Sequence, residues 1–264
     1  MPVQIARITE VIRETPRITT LRFDLEMKAA PNQYVMVWIP GVDEKPLSLS
    51  YIGEKCGVTA LAQGPFTKSF CERKVGDMVG LRGPYGRGFK IAGERLLLVG
   101  GGVGMVPLTV LAEKARERGK EVTAVIGART KTEVLFADRI KAAGGEVLVA
   151  TDDGTEGTKG FTTDVLRDLL KTRAFDQAYT CGPEVMMLKV IEQTVGKGIQ
   201  TQVSMERYFK CGGIGICGHC VLDDLGYRVC VEGPTFMAEE VLNKSFGKYR
   251  RDASGSRVYF GVKK

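Results

Sequence analysis

The sequence has no long hydrophobic run. Its longest apolar stretch, Leu96 to Ala112, is broken by glycines and is short for a bilayer span. The opening MPVQIARITEVI has neither a positive flank nor an apolar h-region, so no secretory leader is expected and the chain is read as cytoplasmic. Excess charge is also scarce. The 264 residues hold 38 lysines and arginines against 31 aspartates and glutamates, a net of +7. Lys244 to Lys264 alone contributes seven basic residues and one acid, a net of +6, which leaves +1 for residues 1–243. A nearly neutral body with a basic tail is not the pattern of a nucleic-acid-wrapping protein. The tail reads as a solvated end or a docking surface. Internal repeats and low-complexity tracts are missing too. With 44% apolar and 26% charged residues the chain falls on globular averages, long enough for about two domains.

Seven cysteines are an odd set without a leader peptide, which disfavours a disulfide scaffold and favours metal or redox use. Four of them lie within twenty residues. Cys211, Cys217 and Cys220 are spaced C-x5-C-x2-C, and Cys230 follows after nine intervening residues. Zinc ribbons pair two C-x2-C knuckles, and only one is present. Three cysteines in one loop with a distant fourth are close to the plant-type 2Fe–2S spacing C-x4-C-x2-C…C, one residue shorter in its first gap. Gly212, Gly213, Gly215 and Gly218 allow a tight loop with N–H groups aimed at sulfur, and the adjacent pair makes room for the extra residue. Structural zinc and unrelated thiols stay open as alternatives. His219, the sole histidine, lies between two of these cysteines and is read as a loop-surface residue, since four thiolates suffice.

Residues 1–92 read as six short strands separated by Thr15-Pro16, Pro31-Asn32, Gly41, Gly53 and Gly76-Asp77, with one short helix near Thr67 to Arg73. That spacing predicts a six-stranded antiparallel barrel. From Glu94 strands alternate with helical stretches such as Pro107–Arg118, Glu133–Ala143 and Glu184–Val195. This rhythm predicts a doubly wound parallel sheet over 93–203, with a ligand crevice at its strand ends. Residues 204–264 are rich in glycine and cysteine, a small third unit expected to need a cluster as its core, and Val258, Phe260 and Val262 alternate as a possible last strand. The fold class is mixed β and α/β.

LLLVGGGVGMVPL places Gly100, Gly101, Gly102 and Gly104 after an apolar strand and Pro107 in the first helical turn. Close backbone approach of a dinucleotide pyrophosphate at Gly102 and Gly104 is the expected consequence; a tight turn without ligand is the alternative. The second strand ends in Gly127-Ala128-Arg129-Thr130, without the acid that holds an NAD ribose, so residue chemistry leaves NAD against NADP open. Cys181, before Gly182-Pro183, is placed to touch a nicotinamide ring or to pack in the core. In the barrel, Lys45-Pro46-Leu47-Ser48-Leu49-Ser50 offers a cation and two hydroxyls, and Gly64-Pro65-Phe66-Thr67 opens a helix.

Together these motifs resemble the ferredoxin–NADP reductase superfamily. Lys45 to Ser48 is similar to its R-x-Y-S flavin motif, with lysine where arginine is usual, and Gly64 to Thr67 to its second flavin loop. Gly83-Pro84-Tyr85-Gly86, Gly100 to Pro107 and Tyr179 to Met187 are similar to further motifs of that superfamily. The cysteine segment, from Glu206 to Cys220 and then Val229 to Pro234, narrows the resemblance to the electron-transfer subunits of class 1B dihydroorotate dehydrogenases. That resemblance implies FAD held by Lys45, Pro46, Leu47, Ser48, Gly64, Phe66 and Thr67, NAD at Gly102 and Gly104, and a 2Fe–2S cluster on Cys211, Cys217, Cys220 and Cys230. It implies Cys181 as the active-site cysteine that shapes the nicotinamide pocket. It also implies a partner, the FMN-bearing catalytic subunit, in a heterotetramer with two copies of each chain, and no nucleic acid or membrane. Electrons from dihydroorotate would then pass through FMN, cluster and FAD to NAD+, in pyrimidine biosynthesis. Sulfhydrogenase gamma subunits and the small subunit of NADH-dependent ferredoxin–NADP oxidoreductase share the layout and remain rivals, as does a zinc-stapled nucleotide-binding protein without enzyme activity.

Overall fold

The structure, a computed structural model, describes residues Pro2 to Phe260. Strands β1 (Gln4–Thr15), β2 (Ile18–Phe23), β3 (Tyr34–Ile39), β4 (Asp43–Tyr51), β5 (Gly57–Leu61) and β6 (Met78–Tyr85) close an antiparallel barrel in the order β1-β2-β5-β4-β3-β6. Helix α1 (Pro65–Cys71) sits between β5 and β6 and drives Phe66 and Phe70 into the barrel core. Strand β3 shows why the chain does not end there. Val35, Val37 and Ile39 alternate into the barrel, as period two requires. Its other face is apolar as well: Tyr34 and Met36 are buried in a different core, and only Trp38 is left exposed.

The nucleotide unit runs β7 (Arg95–Gly101), α2 (Met105–Glu117), β8 (Glu121–Ala128), α3 (Ala137–Ala142), β9 (Glu146–Thr151), β10 (Thr158–Lys159), α4 (Thr162–Thr172), β11 (Gln177–Cys181), α5 (Glu184–Val195) and β12 (Gln200–Ser204). On β7, Leu96 and Leu98 face the core that contains α2, while Leu97 and Val99 face the α4 side. A strand buried on both faces is what a central parallel strand needs. The helix expected over 133–143 is shorter. Phe136, in the left-handed region at φ 62°, lets the helix begin only at Ala137.

The C-terminal segment departs furthest from expectation. It adds β13 (Val221–Leu222), β14 (Tyr227–Arg228), β15 (Thr235–Met237), α6 (Ala238–Val241) and the hairpin β16 (Tyr249–Arg251) with β17 (Arg257–Tyr259). Strand β15 pairs antiparallel with β12, so the sheet order is β10-β9-β8-β7-β11-β12-β15. Nor is the segment without an apolar core. Leu222, Val229, Phe236, Val241 and Phe246 are buried with Tyr34 and Met36 of the barrel and Met187 and Ile191 of α5. It borrows two neighbours' surfaces, which no local periodicity announces. Val262, expected in the last strand, lies outside the described residues. Among those residues no helix is long and apolar enough to cross a membrane.

Barrel and sheet meet at an arginine clamp. Arg139 of α3 pairs with Glu113 of α2 at 2.9 Å and donates to the Ser50 carbonyl of β4 at 3.0 Å. Its guanidinium lies 3.9 Å from the Tyr51 ring centre, and Arg22 covers the opposite face at 3.8 Å. Arg139→Met is expected to lower stability by about 2 kcal/mol, the upper range for a desolvated cation–π contact with its ion pair. Thermal and denaturant midpoints measure it, and an unchanged midpoint would deny the clamp a role.

Candidate functional site

The nucleotide crevice forms where strand order reverses, between β7 and β11. The turn after β7 and the turn after β11 press backbone on backbone. A Cβ on Gly104 would lie 2.2 Å from the Cys181 carbonyl oxygen, and one on Gly182 would lie 3.2 Å from the Gly101 nitrogen. Gly102 differs: it adopts φ +54° and faces open space. Glycine at 104 therefore closes the two turns together, while glycine at 102 leaves backbone bare towards a ligand.

Cys181 ends β11 beside these turns, is only 3% exposed and packs in the core that holds α2. Burial, with the Glu206 carboxylate adding to it, pushes its thiol up to about 12. A buried, neutral thiol of this kind is no thiolate nucleophile. Burial likewise raises Cys56 to about 12. In each case the folded state favours the neutral thiol. Both thiols are thus expected to resist iodoacetamide near pH 8 in the folded protein, with stability declining as pH rises from 9 towards 12. Mass spectrometry of the alkylated chain tests this, and modification without unfolding would contradict it. Behind Cys181 a polar chain ties all three parts together: Ser204 bonds Asn32 at 2.7 Å, and Asn32 bonds Thr235 at 2.7 Å.

On the barrel, Lys45, Pro46, Leu47 and Ser48 form a half-buried stretch of β4, and Lys45 is ion-paired with Asp43. That contact draws the Asp43 carboxyl below its usual value. Ser50, read as a companion hydroxyl, is instead fully buried and unpartnered, which leaves Ser48 as the accessible one. Gly64 precedes α1, and the Thr67 hydroxyl turns back to accept the N–H groups of Gln63 and Gly64 at 3.0 Å. Phe66 gives its ring to the barrel core, so only its backbone can face a cofactor. Lys45 Nζ stands 6.0 Å from the Tyr208 ring, and that ring stands 5.3 Å from His219. Strand β4, the chain just past β12 and the cysteine loop converge here.

The loop itself winds through four glycines, 212, 213, 215 and 218, all with positive φ. Its thiols stand as two pairs. Cys220 and Cys230 are buried with sulfurs 3.4 Å apart, while Cys211 is half-buried and Cys217, which influences its titration, is exposed. Burial works against ionisation of Cys211, yet N–H groups of Cys217, Ile216 and Gly215 overcome it and bring the thiol down to about 6. The bond with Cys230 draws Cys220 down to about 7 and holds Cys230 up. A 2Fe–2S core takes two thiolates per iron, whereas zinc needs its ligands on one point; two pairs suit the former. Among the described residues no three His, Cys, Asp or Glu side chains close on a single point. His219 is occupied elsewhere, its Nε2 2.6 Å from the Asp252 carbonyl oxygen.

Relatives agree with this layout. A model of the iron–sulfur cluster binding domain of dihydroorotate dehydrogenase B matches residues 206–242, and one of an oxidoreductase NAD-binding domain matches 98–192. The probable dihydroorotate dehydrogenase B (NAD(+)) electron transfer subunit of Methanocaldococcus jannaschii is 46% identical over 257 residues, covering 97% of this chain and 98% of its own. The chain belongs to the family of dihydroorotate dehydrogenase B electron-transfer subunits. A second such subunit, from Methanocella arvoryzae, is 50% identical over 256 residues, 96% of this chain and 97% of its own. Among solved structures, one of the NADH-dependent reduced ferredoxin–NADP oxidoreductase superposes with a TM-score of 0.80 at 28% identity over 90% of both chains. The ferredoxin NADP+ reductase of Neisseria gonorrhoeae, at 17% identity and a TM-score of 0.65 over 80% of this chain and 95% of its own, shares the fold.

Sequence motifs in this family member did not mark the bonds from Tyr34 to Cys230 and from Asn32 to Thr235, which join its parts through contacts remote in sequence. They also passed over Ile214 and Ile216, 60% and 79% exposed beside the outer thiol pair. Isoleucines alternating with glycines in a loop were the available signal.

Proposed function

We propose that the chain relays electrons from an FMN-bearing, dihydroorotate-oxidising subunit to NAD+ in pyrimidine biosynthesis, working in the cytoplasm as a heterotetramer with two copies of each subunit. The observation that carries this reading is the cysteine loop, with one thiol pair buried against the barrel and the other open to a partner. When bound, a flavin between a nicotinamide and a 2Fe–2S cluster converts two-electron to one-electron transfer.

The chain's own residues bind and orient. Within residues 1–92, Lys45 neutralises phosphate as a point charge, Ser48 and the backbone from Pro46 to Leu47 line the ring site, and Gly64, Phe66 and Thr67 offer backbone at the second flavin loop. Within 93–203, Gly102 offers bare backbone to the nicotinamide dinucleotide, Gly104 seats the turn that presents it, and Cys181 closes the pocket floor as a neutral thiol. Within 204–264, Cys211 and Cys217 hold the outer side of the cluster and Cys220 and Cys230 the inner side. Ile214 and Ile216 supply apolar contact to the catalytic subunit around the outer pair.

An anaerobic visible and EPR spectrum, taken before and after NADH, tests the proposal. Flavin bleaching with a reduced 2Fe–2S signal is expected. Cofactors that respond to NADPH alone would shift the reading to a ferredoxin–NADP type system, and a colourless zinc protein would end it.

A further inference from the structure

One side chain connects the barrel to the inner thiol pair. Tyr34 lies in β3 directly opposite Ser48 of β4. Its ring leaves the outer face of the barrel, is 3% exposed, and donates its hydroxyl to the Cys230 carbonyl oxygen at 2.9 Å, 196 residues away. Phe209 and Tyr85 hold the ring at centroid distances of 5.1 and 5.8 Å. A Cβ on Gly213 would come within 2.7 Å of the Tyr34 hydroxyl, so the bare backbone there admits the ring against the loop. The outer pair is held differently: Cys217 is exposed and meets the His219 N–H at 3.5 Å, and Arg82 of β6 donates to the Gly212 carbonyl beside Cys211 at 3.0 Å.

We propose that Tyr34 is a positioning residue that registers the inner thiol pair on the flavin strand and, through its O–H dipole on Cys230, raises the reduction potential there. This rests on the reading of Lys45 to Ser48 as the flavin strand and of the four cysteines as cluster ligands. A donor aimed at the carbonyl of a ligand withdraws electron density from it and favours the more negative, reduced state. Burial strengthens that effect because little solvent competes. The bond also fixes where Cys230 stands relative to Ser48, since Tyr34 is paired to both.

The test is a potentiometric EPR titration of the full-length chain with its cofactors, as wild type, Tyr34→Phe, Tyr34→Leu and Tyr85→Phe. Tyr34→Phe keeps the ring and its packing but loses the donor. It is expected to shift the one-electron equilibrium against the cluster by up to about tenfold, 59 mV for one electron, with altered g-values. Tyr34→Leu removes the ring too and is expected to broaden the signal further. Tyr85→Phe keeps the ring beside Tyr34 and loses only the bond from Arg82, so it is expected to shift the potential by less than Tyr34→Phe does. A role confined to packing would leave the Tyr34→Phe potential and spectrum at wild-type values, and that result overturns the inference alone. A wild-type chain without iron, labile sulfide or an EPR signal overturns the proposed function as well.

Discussion

Cys217→Ser is expected to leave a folded yellow protein that has lost its cluster. Cys217 is exposed in a glycine-rich loop and takes no part in the core that buries Cys220 and Cys230, so serine there costs the fold little. Its chemical cost is large, because a hydroxyl, far less acidic than a thiol, is a poor ligand for iron in place of a thiolate. Iron and labile sulfide should fall steeply, and electron transfer to the catalytic subunit by at least about 100-fold, beyond the effect of losing an outer-shell partner. Bleaching of the flavin by NADH should persist, since barrel and crevice are untouched. Metal analysis and stopped-flow absorbance separate the two outcomes. Wild-type dihydroorotate oxidation by NAD+ in this variant would show that the relay order is wrong.

Gly104→Ala acts at the opposite end of the chain's chemistry. The added methyl would lie 2.2 Å from the Cys181 carbonyl oxygen, 2.5 Å from its carbon and 2.7 Å from the Gly182 Cα. All three are backbone, so relief requires the β7 and β11 turns to part. Overpacking of this kind costs about 3 kcal/mol. A displacement near 1 Å at the crevice is expected to slow flavin reduction by NADH about 100-fold. Gly102→Ala supplies the contrast. Its methyl meets nothing within 4 Å, and the left-handed backbone costs it about 1–2 kcal/mol. There the methyl enters open space, which on the proposed reading receives the pyrophosphate, so KM for NADH should rise more than kcat falls. Equal behaviour of the two variants would refute the division of labour between these glycines.

Much of this was legible along the chain, and what was not shares one physical cause. Val35, Val37 and Ile39 alternate within one strand, the turn from Gly100 to Pro107 announces its helix, and four cysteines announce a cluster loop. Such signals are local, each complete within a dozen residues. Tyr34 and Met36 read as ordinary strand residues, yet their burial is decided by Val229 and Phe236 about 200 positions later. Ser50 carried the same hydroxyl as Ser48, but the packing of Arg139 against it decides which of the two is accessible. Strand β15 was missed because three residues following glycine and proline hold no period; pairing with the edge of β12 makes them a strand.

That edge pairing bears on how such chains can be recombined. A cysteine segment cut before Glu206 would carry β15 away from β12, strip cover from Met36 and Ile191, and break the bond from Tyr34 to Cys230. The cluster segment is therefore not a cassette to be transplanted onto an unrelated reductase. A successful chimera would have to bring along the outward-facing residues of β3 and the inner face of α5, so a breakpoint upstream of the barrel serves better than one at the cysteine loop.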